Sequence, residues 1–183
     1  VDYYQDAIKN GYALGAFNFC NLESLKGILN SAKKNNSPVI VAISSGALNY
    51  MGDEYVREFI TASKKCYDIP MFFHLDHGKD FEICKRAIDL GFDSVMIDAS
   101  SYEFEQNVAL TKQVADYAHK FDIQVEGELG RLRGVEDEHI STESLFSRQR
   151  KEKEFVEGLG VAGVALAFGP GLGLISGSYT EVR

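Results

Sequence analysis

Two imidazoles and a carboxylate follow three apolar residues and stop at a glycine in the stretch Met71-Phe72-Phe73-His74-Leu75-Asp76-His77-Gly78. That is how a buried strand looks where it delivers polar groups to a surface. Asp76 and His77 are neighbours, so on a regular strand they face opposite ways; where the strand frays into its loop, both can turn toward one pocket. An imidazole suits zinc or another borderline divalent ion, and a carboxylate beside a cation is well placed to carry protons. The plainer reading of these residues is a strand ending in a polar turn with satisfied histidines, and the surrounding chain weighs against it.

The elements that must position this stretch recur with one rhythm. Asp2 to Asn10 has helical spacing and ends at Gly11. Ala13 to Phe19 reads as a strand, and Asn21 to Asn36 as an amphipathic helix with Leu22, Leu25, Ile28, Leu29 and Ala32 on one face. Pro38 to Ser44 is a continuous apolar run, as expected of a parallel strand covered on both faces, with Asp53 to Tyr67 as its helix. Met71 to Asp76 is followed by a helix from Asp80 to Leu90, Ser94 to Asp98 by one from Phe104 to Lys120, and Ile123 to Leu129 is the fifth strand. Strands each followed by a helix imply right-handed crossovers and a parallel sheet. Polar residues stand at the strand ends: Asn18, Ser44, Asp76 with His77, Asp98, and Glu126 with Glu128. Contributions from five successive strands favour a (β/α)₈ barrel, where those ends share one face, over an open doubly wound sheet.

Beyond Gly130 the periodicity fails. Residues 131–146 are charged and irregular and read as a long mobile loop, which in a compact domain is usually functional. Ser147 to Glu157 resumes as a charged helix, Val161 to Phe168 is a sixth strand, and Gly169-Pro170-Gly171-Leu172-Gly173 reads as a glycine-rich turn before a tail ending at Arg183. Six strands do not close an eight-stranded barrel, so residues 1–183 read as one partial barrel domain.

The chain's 183 residues are 45% hydrophobic and 25% charged, ordinary for a globular domain. No apolar run reaches the roughly 18 residues of a membrane span, and the first residues lack the basic-then-apolar pattern of a secretory signal. Three cysteines, with no Cys-x-x-Cys pair, argue for reduced thiols in a cytoplasmic protein. A net charge of −8 without a dense basic stripe argues against nucleic acid and anionic membranes as partners.

Five motifs together resemble the class II, metal-dependent fructose-1,6-bisphosphate aldolases and the related tagatose-bisphosphate aldolases. They are Gly15-Ala16-Phe17-Asn18, the stretch from Pro38 to Ala47, His74-Leu75-Asp76-His77-Gly78, the stretch from Gly91 to Ser100, and Val125-Glu126-Gly127-Glu128-Leu129-Gly130. Each is weak by itself, and the ordered set is strong. The resemblance implies a TIM barrel that cleaves a ketose bisphosphate into dihydroxyacetone phosphate and an aldehyde, with zinc or a similar divalent ion and room for a monovalent cation. On matching positions it implies His77 as a metal ligand, Asp76 as the acid/base for the substrate's C4 hydroxyl, and Glu128 as a second-site or alternative ligand. Glu136, in the charged loop, falls where the family keeps the base for the dihydroxyacetone phosphate carbon. Asn18, Ser44 and Asp98 look like groups that contact substrate or support the site, although Asn18 and Ser44 read equally as residues that cap or end strands. The family resemblance also implies a homodimer or larger assembly.

One departure stands out. The family's second metal histidine lies in a turn after the sixth strand, where this chain has Leu172, and the third histidine would lie beyond residue 183. With only His77 and Glu128 as ligands, weak metal binding and poor turnover are expected. The alternative is a non-catalytic aldolase-like scaffold.

Overall fold

A computed structural model describes residues 3–129, 134–136, 139–141, 159, 161, 163–168 and 171–176. After a short helix α1 (Tyr3–Asn10), strands and helices alternate: β1 (Gly15–Asn18), α2 (Leu22–Asn35), β2 (Val39–Ser44), α3 (Ser45–Met51), α4 (Asp53–Cys66), β3 (Met71–Gly78), α5 (Phe81–Leu90), β4 (Ser94–Ile97), α6 (Phe104–Ala118) and β5 (Gln124–Leu129). They are followed by β6 (Gly134–Glu136), β7 (His139–Ser141), β8 (Gly163–Phe168) and β9 (Gly171–Ser176).

The helices start and stop where side chains satisfy their free backbone groups. Asn21 accepts from the Ser24 N–H in a reciprocal capping box ahead of α2, and Asp80 accepts from the Ile83 N–H ahead of α5. Gly91 ends α5 at φ 96°, a left-handed conformation that glycine adopts without strain.

The main sheet has the order β1-β2-β3-β4-β5-β8-β9 among the described residues. Every pair from β1 to β8 is parallel, and each strand lies beside the next one of its sheet in the chain. A doubly wound sheet reverses its order at a switch point, and this one does not. The architecture is an arc of a (β/α)₈ barrel, as expected from the strand rhythm.

Alternation along the strands separates two environments. Val41, Ile43, Phe73, Leu75, Val95, Ile97 and Val125 face the helices and are fully buried in one apolar cluster with Leu25, Leu29, Leu48, Val56 and Val114. Each such side chain contributes about 1.5–3 kcal/mol on burial, which makes this layer the main source of stability. His74, Asp76, Glu126 and Glu128 fall on the opposite alternation, toward the barrel interior.

Two expectations change, and one unassigned stretch takes a structure. That stretch, after Ser44, is helix α3, capped by the Ser44 hydroxyl accepting the Ala47 N–H at 3.3 Å; its glycine and lack of charge period hide it in the sequence. Gly171 to Ser176 is not a turn and tail. It forms β9, antiparallel to β8 from Phe168↔Gly171 to Gly163↔Ser176, following its alternation of glycine with leucine and isoleucine against the apolar β8. Within 131–146, β6 and β7 pair antiparallel, with Glu136 opposite His139; the remainder of that stretch and the expected helix Ser147 to Glu157 lie outside the described residues.

Gly78 closes β3 in a space that admits no side chain. A Cβ there would stand 2.6 Å from Cys84 Sγ and 2.8 Å from the Met96 carbonyl oxygen, and the latter is backbone that cannot swing away. Gly78→Ala is therefore expected to destabilise the fold by about 1–3 kcal/mol, read as a lowered midpoint in urea unfolding. An unchanged midpoint would show that β3 and β4 can separate at no cost.

Candidate metal and acid–base centre

β3 delivers the centre through a local break in its own regularity. His77 has φ 51°, a left-handed conformation rare for a residue with a side chain, and the β3–β4 register shifts between Leu75 and Gly78. The shift turns Asp76 and His77 toward the same side, which a regular strand forbids. Two contacts hold the bend. Ser45 donates its hydroxyl to the His77 carbonyl at 3.0 Å, and the Asp98 N–H donates to the Gly78 carbonyl at 2.8 Å.

His77 then meets carboxylates from two further strand ends. Its Nδ1 lies 3.2 Å from Asp98 Oδ2 and 3.4 Å from Glu128 Oε2, while Nε2 lies 3.9 Å from Asp76 Oδ1. Burial alone would raise the Asp98 carboxyl, but hydrogen bonds from His77 and Ser100 bring it down to about 2. Asp98 is thus ionised and only accepts, so the hydrogen on its ring partner sits on Nδ1. In the neutral ring, Nε2 keeps the free lone pair, on the Asp76 side. Side-chain exposure falls from 29% at Asp76 and 24% at His77 to 10% at Asp98 and 4% at Glu128, so the centre opens at Asp76 and deepens toward β5.

One donor atom each from His77, Asp98 and Glu128 lies within 4.8 Å of the others. An imidazole nitrogen with two carboxylate oxygens is a donor set that zinc and similar divalent ions accept. The residues fit a divalent cation on the chemistry of that donor set.

Of the residues singled out in the sequence, His77, Glu128, Asp76 and Asp98 come together. Asp98 lies among the candidate ligands, which adds a third donor to the two that the sequence offered. Asn18 donates its side-chain N–H to Asp76 Oδ2 at 2.7 Å, orienting the carboxylate at the mouth. The Ser44 hydroxyl caps α3, the alternative foreseen for it. Glu136 lies in β6, and Leu172 pairs with Ala167 in the β8–β9 ladder.

Sequence reasoning passed over several supports. Ser45, which the sequence reading leaves without a role of its own, holds the His77 carbonyl. Asn107, buried on α6, donates to the Glu128 carbonyl at 2.8 Å and accepts from the Thr111 hydroxyl at 3.1 Å. The β4–β5 pairing ends at Ile97↔Gly127, so that carbonyl lies one residue past the ladder and a helix side chain satisfies it. Its i, i+4 spacing with Thr111 was the available signal. Glu126 is also buried; desolvation first, then the charge of Asp76, pushes its carboxyl up to about 7.

A family model, fructose-bisphosphate aldolase class-II, matches residues 1–180. The chain belongs to this family. It is 42% identical over 177 residues to the fructose-bisphosphate aldolase of Staphylococcus aureus (strain Mu50 / ATCC 700699), covering 95% of this chain and 60% of that protein. It is 46% identical over 165 residues to the fructose-bisphosphate aldolase of Giardia intestinalis, covering 90% of this chain and 51% of that one. Among solved structures, the YdjI aldolase from Escherichia coli K12 superposes with a TM-score of 0.78 at 32% identity, over 89% of this chain and 59% of the other. The chain spans 51–60% of the length of these curated relatives. No helix among the described residues is long and apolar enough to cross a membrane.

Beneath the centre, His74 Nδ1 lies 2.8 Å from the Ser94 hydroxyl, and burial lowers the imidazole to about 4 despite the nearby Asp76 charge. Between pH 6.5 and 4 the unfolded chain binds a proton here that the folded chain does not, so stability falls as pH falls. Glu126 works the other way: its carboxyl, raised to about 7, holds a proton in the folded chain that the unfolded chain releases, so stability rises as pH falls over the same range. In urea unfolding of the metal-free chain at pH 7 and pH 4.5 the two effects offset in the parent, and His74→Asn should therefore gain stability on acidification relative to the parent. An equal response in parent and variant would place the titration elsewhere.

Proposed function

We propose that this chain carries the metal and proton-transfer centre of a zinc-dependent ketose-bisphosphate aldolase, which cleaves fructose 1,6-bisphosphate to dihydroxyacetone phosphate and glyceraldehyde 3-phosphate. The observation that carries this reading is the meeting of His77, Asp98 and Glu128 within 4.8 Å, beside Asp76, at the C-terminal ends of parallel strands. Membership of the family supports it, and the relatives' names point to fructose bisphosphate. His77, Asp98 and Glu128 would hold the ion. The ion supplies electrostatic stabilisation of the enediolate left when the carbon–carbon bond breaks.

The chain's own residues do the rest. Asp76 stands at the open side of the centre with one oxygen on Asn18 and the other toward His77. From there it takes the proton of the C4 hydroxyl in cleavage and returns it in condensation. Asn18 keeps the carboxylate turned to the mouth. The Asp98 and Glu128 oxygens lie 3.2 and 3.4 Å from His77 Nδ1, so Nδ1 is the nitrogen of this donor set, and an ion there would take the place of the proton that Nδ1 carries in its absence. Glu136 in β6 is the proposed base at the dihydroxyacetone phosphate carbon, on the resemblance alone, and the 131–146 stretch is the proposed active-site loop. Asp98 serves here as a ligand rather than a substrate contact. A homo-oligomer in a reducing, cytoplasmic setting suits the free thiols Cys20, Cys66 and Cys84.

A second reading rests on Leu172. It stands in β9 where the resemblance expects a metal histidine, and it favours a non-catalytic aldolase-like scaffold. Tagatose 1,6-bisphosphate, differing at one stereocentre, is the alternative substrate within the first reading.

Cleavage of both ketose bisphosphates by the purified protein, with zinc and after chelation, separates these readings. Zinc-dependent cleavage is expected, with kcat lowered about 10²–10⁴-fold by Asp76→Ala at little change in KM. Zinc-loaded protein that cleaves neither sugar would sink the lyase reading in favour of the scaffold.

A further inference from the structure

Ser100 lies two residues beyond the end of β4's delivery of Asp98 and has no role in the mechanism described above. Asp98 presents its two oxygens to different partners. Oδ2 faces His77 Nδ1 at 3.2 Å. Oδ1 accepts the Ser100 N–H at 3.0 Å and the Ser100 hydroxyl at 2.6 Å. The Asp98 backbone is itself tied to β3 through the Gly78 carbonyl. With the backbone fixed, the carboxylate keeps two torsions, a staggered one at Cα–Cβ and a broad, roughly two-fold one at its last side-chain bond, and the second sets its plane. Two hydrogen bonds from one residue to one oxygen oppose that rotation.

We propose that Ser100 is a positioning residue: by holding Asp98 Oδ1 it sets the plane of the carboxylate, and through Oδ2 it fixes the tautomer and orientation of the His77 ring. This deepens the aldolase reading, since the ring so fixed is the proposed metal ligand. Whether its Oδ2 touches an ion or only the imidazole, the direction of the Asp98 carboxylate is set by the same clamp. A carboxylate free to turn would weaken the 3.2 Å contact that draws the proton to Nδ1, leaving there the Glu128 oxygen at 3.4 Å and letting the proton move to Nε2, on the Asp76 side, and a ring so loosened presents Nδ1 less consistently. Partners of this kind behind a ligating histidine typically change metal affinity 10- to 100-fold.

Ser100→Ala removes the shorter of the two bonds and keeps the N–H bond, so the loss should lie near the lower end of that range. Ser100→Thr keeps a hydroxyl at the same place and is the rescue.

The first readout needs no metal. In ¹⁵N-histidine-labelled, metal-free protein, with the His77 signals identified through His77→Asn, the parent should show the Nδ1–H tautomer. Ser100→Ala should shift toward a mixture, and Ser100→Thr should restore the parent pattern. The second readout is zinc affinity by chelator competition, expected to weaken about tenfold in Ser100→Ala and to return within about twofold in Ser100→Thr. A thermal unfolding midpoint near the parent's in both variants separates positioning from a general loss of fold. Unchanged tautomer signals in Ser100→Ala overturn the proposal while leaving the metal centre standing. Should the parent protein take up no zinc while Ser100→Ala still disturbs the His77 signals, the aldolase reading fails and the positioning role of Ser100 holds.

Discussion

The bend at His77 is the constraint on which the centre depends. A residue with a side chain at φ 51° costs of order 1–3 kcal/mol, and the fold supplies that from its surroundings. Gly78 follows because nothing larger fits between Cys84 and the Met96 carbonyl. Ser45 and the Asp98 N–H grip the carbonyls of His77 and Gly78. The apolar layer behind β2, β3 and β4, fully buried at Val41, Ile43, Phe73, Leu75 and Val95, provides the rigid backing. Relaxing the bend would send the imidazole to the opposite face from Asp76, and the centre would lose the one nitrogen donor it has among the described residues.

Electrostatics then grade the interior by depth. At the mouth, Asp76 and His77 keep contact with water. One layer in, Asp98 stays ionised because hydrogen bonds from His77 and Ser100 outweigh its burial. Deeper still, burial wins: His74 is held neutral against the pull of Asp76, and Glu126 holds its proton up to about pH 7. The difference lies in partners rather than in position. Asp98 has two hydrogen-bonding residues on its carboxylate, whereas the shift of Glu126 arises from desolvation and a like charge. Charge is therefore concentrated where a cation and a substrate would meet it and suppressed beneath.

The fold was legible because its evidence is redundant. Four successive strand–helix pairs and a fifth strand, each strand with a polar residue at its end, leave few topologies open, and the parallel order of β1 to β5 and β8 follows from them. The identity of Asp76 and His77 as a pair was legible from residue types. What escaped was whatever depends on contacts between distant segments. α3 lacks an apolar period of its own and exists because Ser44 caps it. Asn107 read as one more helix residue, since its partner is a carbonyl left over where β4 ends one residue before Glu128. Asp98 read as a group that contacts substrate or supports the site, and its own stretch does not say which, because the ring nitrogen 3.2 Å away belongs to residue 77. β9 escaped because alternating glycine and leucine looks like a turn until the apolar edge of β8 stands beside it.

Leu172 carries the remaining tension, and Asp98 changes its weight. With His77 and Glu128 alone, the loss of a histidine at position 172 leaves too few donors for a catalytic ion, which needs three protein ligands and an open position. With Asp98 drawn into the group, three donors come from β3, β5 and the end of β4 without any contribution from the strand after β8. A site with one nitrogen and two oxygens is harder and more anionic than one built on histidines. It binds zinc less selectively and tolerates manganese or cobalt more readily, and its two negative ligands reduce the positive charge that the ion can lend to a developing enediolate. A centre of this composition would hold its metal without Leu172 being replaced, and would do so at some cost in electrophilic power. On the proposed reading, the consequence of Leu172 would fall on the strength of catalysis rather than on the presence of the metal.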